Sequence, residues 1–264
     1  MKHVNYLARI KLPLSIITVA VLTGCASVNF EQNVGRVNEE VAGFTESKLA
    51  LARTNEERIQ RSQAAATLLK APVGQKEAVQ LALVNSPALQ SLLAQGWAES
   101  ADAAQSGRIS NPVFSFERLV AGDELELGRA LSFGLLDILT LPARQGIAER
   151  RIEQAQLRLT SEVVDHVTRV RQAWVRAVAA KQTLNYAQQV FESAEASAEL
   201  ARRMQSVGNF NRLTRAREQA FYADSATRLA TAQHQTTATR EELTRLLGLD
   251  EGQAELLQLP ERLP

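Results

Sequence analysis

The spacing of apolar residues changes along the chain, and each change marks an element. From Val28 to Lys70 the sequence is polar and helix-prone without a strong apolar stripe, and Ala71-Pro72-Val73-Gly74 breaks it. This stretch reads as a peripheral, partly flexible lead-in. From Lys76 to about Ile109, Ala78, Leu81, Leu83, Leu89, Leu92, Leu93 and Trp97 recur at helical spacing. Asn85-Ser86-Pro87 interrupts that helix, either as a kink or as a boundary between two helices. Gly107 and Asn111-Pro112 end it.

The period then drops to two. Val113 to Glu117 alternates like a strand, and the turn signal Ala121-Gly122-Asp123 introduces a cleaner alternation. Leu125, Leu127, Leu131, Phe133 and Leu135 fall on one face, broken only by Arg129; Glu126, Gly128, Ala130, Ser132 and Gly134 fall on the other. The pattern predicts a β-hairpin over about 112–136. A strand of about 11 residues fits a tilted membrane span. A half-buried hairpin of a soluble protein shows the same alternation, so both readings stand; the small and polar second face suits a wet pore lining.

Pro142 closes the strand region, and a long helix is expected from near Ala143 to about Met204. Leu159, Val163, Val167, Val170, Trp174, Val178, Leu184 and Phe191 step mainly by three or four residues. Some 60 residues make roughly 90 Å of helix, which calls for coiled-coil packing or a tunnel wall. Val207-Gly208-Asn209-Phe210-Asn211 is a turn, with Gly208 able to stop one helix and Asn209 or Asn211 able to cap the next. The second helix should run from about Arg212 to Leu247 and stop at Gly248. Its core side reads Leu213, Ala216, Ala220, Ala223, Leu229, Ala230, Leu243 and Leu246, which buries little area per residue. Such a helical hairpin needs neighbours.

Composition agrees with long, closely packed helices. The 264 residues are 45% hydrophobic and only 5% aromatic, with 13 Gly and 7 Pro. A formal net charge of +1 gives no argument for nucleic acid. The single cysteine excludes internal disulfides and cysteine-cluster metal sites. Its position is informative. Lys2, Arg9 and Lys11 precede an apolar run from Leu12 to Leu22, too short to span a bilayer and suited to a signal-peptide core. The run ends in Leu22-Thr23-Gly24-Cys25, which resembles a bacterial lipobox; a simple signal peptide with an incidental cysteine is the alternative. On the lipobox reading, residues 1–24 are removed, Cys25 carries covalent lipid, and the mature chain has net charge −2. Ala26, where lipoproteins kept at the inner membrane often have Asp, favours the outer membrane.

Catalytic chemistry has little support. His3 lies in the leader, His166 and His234 sit on helices without a partner motif, and there is no Walker loop, Gly-x-Ser-x-Gly or His-Glu-x-x-His. The expectation is a protein that is not an enzyme and has no cofactor or metal besides the lipid on Cys25.

Several motifs in order resemble the TolC-like outer-membrane efflux proteins, in particular their lipid-anchored branch. These are Ala82-Leu83-Val84-Asn85-Ser86-Pro87-Ala88-Leu89, then Gly107-Arg108-Ile109-Ser110-Asn111-Pro112, the second strand, the run Ala143 to Glu153, the Val207-Gly208 turn and Leu246-Leu247-Gly248-Leu249. The resemblance covers roughly Lys76 to Pro264 and matches one helix–strand–strand–helix repeat where family members usually carry two. It implies a mainly α fold, with long antiparallel coiled-coil-like helices and one membrane-type hairpin, half of a TolC-like α/β-barrel protomer. The expected organisation is a leader (1–24), a lipid-anchored lead-in (25–75) and a single repeat (76–264).

In that family three chains build a twelve-stranded barrel in the outer membrane, continued by a helical tunnel across the periplasm. A periplasmic adaptor and an inner-membrane pump complete the assembly. The resemblance therefore implies an efflux channel component, lipid-anchored in the cell outer membrane and extending into the periplasm. It would self-associate, as a trimer lacking its second repeat or as a hexamer if the half length is natural. Leu125, Leu127, Leu131, Phe133 and Leu135 would face lipid, and the tip Val207, Gly208, Asn209 and Phe210 would meet the adaptor. Asn209 stands where the family's tip motif has Leu, and an ordinary capped turn explains the same residues. The competing class is a periplasmic coiled-coil lipoprotein acting as a scaffold.

Overall fold

The computed structural model describes residues 30–45, 47–121 and 124–264. The expected leader and Cys25 lie outside the described residues. The elements are α1 (Phe30–Thr45), α2 (Asn55–Leu68), α3 (Gln75–Asn85), α4 (Pro87–Ser106), β1 (Val113–Ala121), β2 (Glu124–Ser132), α5 (Leu135–Ser206), α6 (Arg212–Leu247) and α7 (Glu251–Leu256). The chain is mainly helical, with long helices and one two-stranded antiparallel sheet. It forms two compact units. One groups Gln95–Arg158 with the described residues up to Asn33; the other groups Val34–Ala94 with Leu159–Pro264.

The second unit is built on a leucine–valine core. Leu81, Leu83, Leu89, Leu93, Val163, Val167, Val170, Leu243 and Leu247 are buried there. Trp174 joins them and donates its indole N–H to the Val73 carbonyl at 2.8 Å. The Asn-Ser-Pro interruption is a boundary between helices: Ser86 is extended (φ −66°, ψ 117°), as the residue before proline prefers. Asn85 then reaches the far end of the chain. Its amide Nδ2 donates to the Gly248 carbonyl at 2.7 Å and to Gln253 Oε1 at 3.0 Å. Gly248 caps α6 in the left-handed region (φ 69°), and a Cβ there would lie 2.4 Å from Pro87 Cδ and 2.7 Å from Ser86 Cα.

The lead-in differs from expectation. Val34, Val37 and Val41 form a helical stripe that is buried in α1, and Leu49 and Ala65 are buried as well. Two side-chain amides hold the connecting strip by mimicking backbone pairing. Asn38 exchanges bonds with Leu49 N and O at 2.7 and 3.0 Å, and Gln90 does the same with Ala52 N and Ala50 O, both at 2.9 Å. Arg171 donates to the Phe44 carbonyl at 2.5 Å and lies 4.3 Å over the Phe44 ring. Three valines in a polar stretch are a narrow stripe, yet all three are buried.

Helices α5 and α6 run antiparallel in this unit, as Arg176–Glu242 (2.6 Å) and the Phe191–Tyr222 ring pair (5.4 Å) require. Their seam is made of small residues. Ala173, Ala180, Ala194 and Ala201 of α5 are buried at multiples of a seven-residue step, as are Ser225, Ala232 and Thr239 of α6. Thr236 Oγ1 donates to the Ala180 carbonyl of the facing helix at 3.1 Å, so the backbones approach closely. This corrects the expected core side of α6. Leu213, Ala216, Ala220, Ala223 and Ala230 are exposed, and Leu243 alone of that set is buried. The buried hydroxyls are satisfied locally, Ser225 by the Tyr222 carbonyl (2.7 Å) and Thr239 by the Gln235 carbonyl (2.9 Å). A seven-residue seam can therefore use Ser and Thr where an apolarity count looks for leucine.

His166 sits on the buried side of α5, and its Nε2 has no hydrogen-bond partner among the described residues. Burial, reinforced by the charge of Arg169, lowers its pKa from the ordinary 6.5. The unfolded chain then binds more protons than the folded one at pH values below 6.5. Stability is complete above that value and falls as pH drops through it toward the lowered folded value. Urea melts should show a lower midpoint at about pH 5.5 than at about pH 7.5, and His166→Leu should reduce that difference.

In the first unit the junction after the hairpin differs from expectation. Helix α5 starts at Leu135 and carries Pro142 inside it, instead of starting near Ala143. Leu135 is thus helical rather than part of a strand, and Phe133 lies beyond the end of β2. Asp137 explains the early start. In the first turn of α5 its carboxylate faces the helix N-terminus, accepts from Ser110 Oγ at 2.6 Å and pairs with Arg144 at 3.2 Å. Arg144 also donates to the Arg108 carbonyl. These bonds help hold the helix through the proline, which removes the N–H that would have met the Ile138 carbonyl and crowds that carbonyl with its ring.

Candidate functional site

Every described side chain of the β1–β2 hairpin is exposed. Its register runs from Val113 opposite Ser132 to Ala121 opposite Glu124. Directly opposed residues share a face. One face therefore carries Phe114 with Leu131, Phe116 with Arg129, and Arg118 with Leu127. The other carries Ser115 with Ala130, Glu117 with Gly128, and Leu119 with Glu126, ending in Val113 and Ser132. The apolar face is open: Phe114 is 66%, Phe116 58% and Leu131 62% exposed.

Of the expected lipid-facing set, Leu127 and Leu131 share this face. The side chain of Leu125 is outside the described residues. Phe133 and Leu135 are exposed, but in the junction and in α5 rather than in the strand. Sequence reading missed Phe114 and Phe116 as members of the face. The alternation of β1 was visible, and the pairing register is what assigns its side. It also missed the continuation into α5, where Leu136, Ile138 and Leu139 are exposed.

The second candidate is the turn between α5 and α6. Gly208 is left-handed (φ 81°), and Asn209 N and Phe210 N both donate to the Met204 carbonyl, at 2.9 and 3.3 Å. Asn211 caps α6 by accepting from Thr214 N at 2.8 Å. Val207 and Asn209 are exposed and Phe210 is half-buried. Glu199 gathers Arg202 and Arg203 at 2.7 Å each on the last turns of α5. Hydrogen bonds from those two guanidiniums hold its pKa down to about 2. This hydrogen-bonded turn presents one exposed large apolar side chain, Val207.

A cleft of about 560 Å³ in the second unit is lined by Pro72, Lys181, Thr236, Arg240 and Leu259, among others. Its cations are occupied: Lys181 donates to the Leu259 carbonyl (3.1 Å), and Arg240 to those of Ala254 (2.9 Å) and Leu257 (2.8 Å). They fasten the C-terminal segment. Among the described residues no group of His, Cys, Asp and Glu could hold a metal ion, and no helix is long and apolar enough to cross a membrane.

No protein-family model matches the chain, and no curated protein does. Among solved structures, it is similar to the crystal structure of a membrane protein from Pseudomonas aeruginosa, with a TM-score of 0.57 and 17% identity over 72% of this chain and 47% of that one. The likeness is one of fold, and the chain spans about half the length of the structure it matches.

Proposed function

We propose that this chain is an outer-membrane channel component of an efflux assembly, contributing one hairpin per copy to a shared barrel and a helical hairpin to a duct across the periplasm. The observation that carries the proposal is the hairpin's two-sidedness. Both strands put their larger apolar residues mainly on one face and small or acidic residues mainly on the other, and among the described residues no layer covers either. Two strands leave open edges, which hydrocarbon does not tolerate, so barrel closure needs further copies or a second repeat. The fold likeness to a membrane protein, of whose chain the match covers 47%, supports the same reading. The chain would be non-catalytic, anchored by lipid on Cys25, with the Val207–Phe210 turn offered to a periplasmic adaptor that links it to an inner-membrane pump.

A scaffold lipoprotein remains the second reading, favoured by Arg118 and Arg129, which interrupt the apolar face. Leu131→Arg separates the two. In a lipid-facing strand it should cost about 2 kcal/mol or more toward mid-bilayer. Outer-membrane fractionation and native mass measurement in detergent should then show loss of the assembled species. Unchanged assembly of the variant would sink the duct and leave the scaffold.

A further inference from the structure

The hairpin's faces differ in charge as well as in apolarity. Arg118 and Arg129 both lie on the phenylalanine–leucine face, whereas Glu117 and Glu126 lie on the other. Arg129 is opposite Phe116 and Arg118 opposite Leu127, so the two cations occupy successive rows of one face as diagonal neighbours, with roughly 7–8 Å between Cα atoms. Both are exposed, and neither has an ion-pair or hydrogen-bond partner among the described residues. No carboxylate of the described side chains shares their face.

An arginine on a lipid-facing strand is most costly at the bilayer midplane and nearly free at the interface. Two in adjacent rows place those rows at headgroup depth. Of the described apolar side chains on this face, Phe116 and Leu127 lie in the arginine rows and Phe114 and Leu131 lie one row toward the strand ends; Phe133, Leu135, Leu136 and Leu139, which follow in the chain, are exposed as well. Guanidinium forks fit phosphate oxygens in bidentate fashion, and the neighbouring rings and leucines fit acyl chains. Building on the membrane reading above, we infer that Arg118 and Arg129 bind the phosphate headgroups of anionic membrane lipid and so set the depth at which the hairpin sits. Hydrocarbon then lies on the Phe114–Leu131 side of the pair.

The test uses the full chain carrying Phe133→Trp, in vesicles whose lipids bear bromine on their acyl chains. Quenching beyond that of the parent, which has Trp97 and Trp174 alone, reports the inserted hairpin. Exchanging phosphatidylcholine vesicles for ones containing phosphatidylglycerol should raise the ratio of inserted to free hairpin roughly fivefold per arginine. Arg118→Gln with Arg129→Gln should remove that lipid dependence while quenching in phosphatidylcholine persists; the double lysine variant, which keeps the charge, should retain most of it. If the glutamine variant responds to phosphatidylglycerol as the parent does, the headgroup assignment is overturned and the membrane reading stands. Absence of added quenching in every vesicle removes the membrane reading itself. Loss of the oligomer in detergent with unchanged lipid dependence assigns the pair to a second copy instead, and overturns the inference.

Discussion

Gly248→Val is expected to destabilise the protein by about 2–5 kcal/mol, combining roughly 1–2 for a left-handed residue with a side chain and 1–3 for overpacking. The overlap is with fixed atoms. The new Cβ would meet Pro87 Cδ at 2.4 Å, Ser86 Cα at 2.7 Å and the Asn85 carbonyl at 3.0 Å, none of which is the free end of a flexible chain. Displacing Gly248 would also pull its carbonyl from Asn85 Nδ2. Urea unfolding followed by helical circular dichroism should show the fall in midpoint. Asn85→Ala, which removes the amide and leaves the helix end intact, should cost only about 1–2 kcal/mol. A Gly248→Val variant as stable as the parent would mean that the two helix ends do not touch.

Trp174→Ala carries the second large effect, about 3–5 kcal/mol for emptying an indole-sized site in the core. Trp174 is 2% exposed, and its N–H is spent on the Val73 carbonyl. Val73 in turn donates from its own N–H to the Gln258 carbonyl at 2.8 Å. One side chain therefore supports both the strip before α3 and the C-terminal segment. Trp174→Phe keeps most of the apolar area but leaves the Val73 carbonyl unpaired, for about 1–3 kcal/mol. Calorimetric unfolding of the two variants would separate packing from hydrogen bonding; equal losses would assign the whole effect to the hydrogen bond.

What could be read from the sequence follows from how local its cause is. The Gly208 turn, a cap at Asn209 or Asn211 and the Gly248 stop were all legible, because each needs only a few neighbouring residues; the structure assigns the cap to Asn211. The valine and tryptophan ladder of α5 was legible too, since a deep core selects large apolar residues at helical spacing. The buried face of α6 was not. There the partner is a row of alanines, and close approach rather than side-chain bulk decides which residues are covered. The start of α5 escaped because Pro142 reads as a stop, while the bonds that outweigh it come from Ser110 and Arg144. On the hairpin, alternation alone gave each strand two sides. Pairing Phe116 with Arg129 made one apolar face of them and revealed that two cations share it.

The Asn85–Gly248 bond also closes a loop of 163 residues by side-chain contact alone. The entropy of closing a loop grows only with the logarithm of its length. Deleting one seven-residue step from α4 and one from α5 within the first unit would change that closure term by about 0.1 kcal/mol. The closure entropy of this clamp is thus nearly indifferent to paired heptad insertions or deletions in the segment it encloses, a kind of length change that evolution can sample without reopening the Asn85–Gly248 contact.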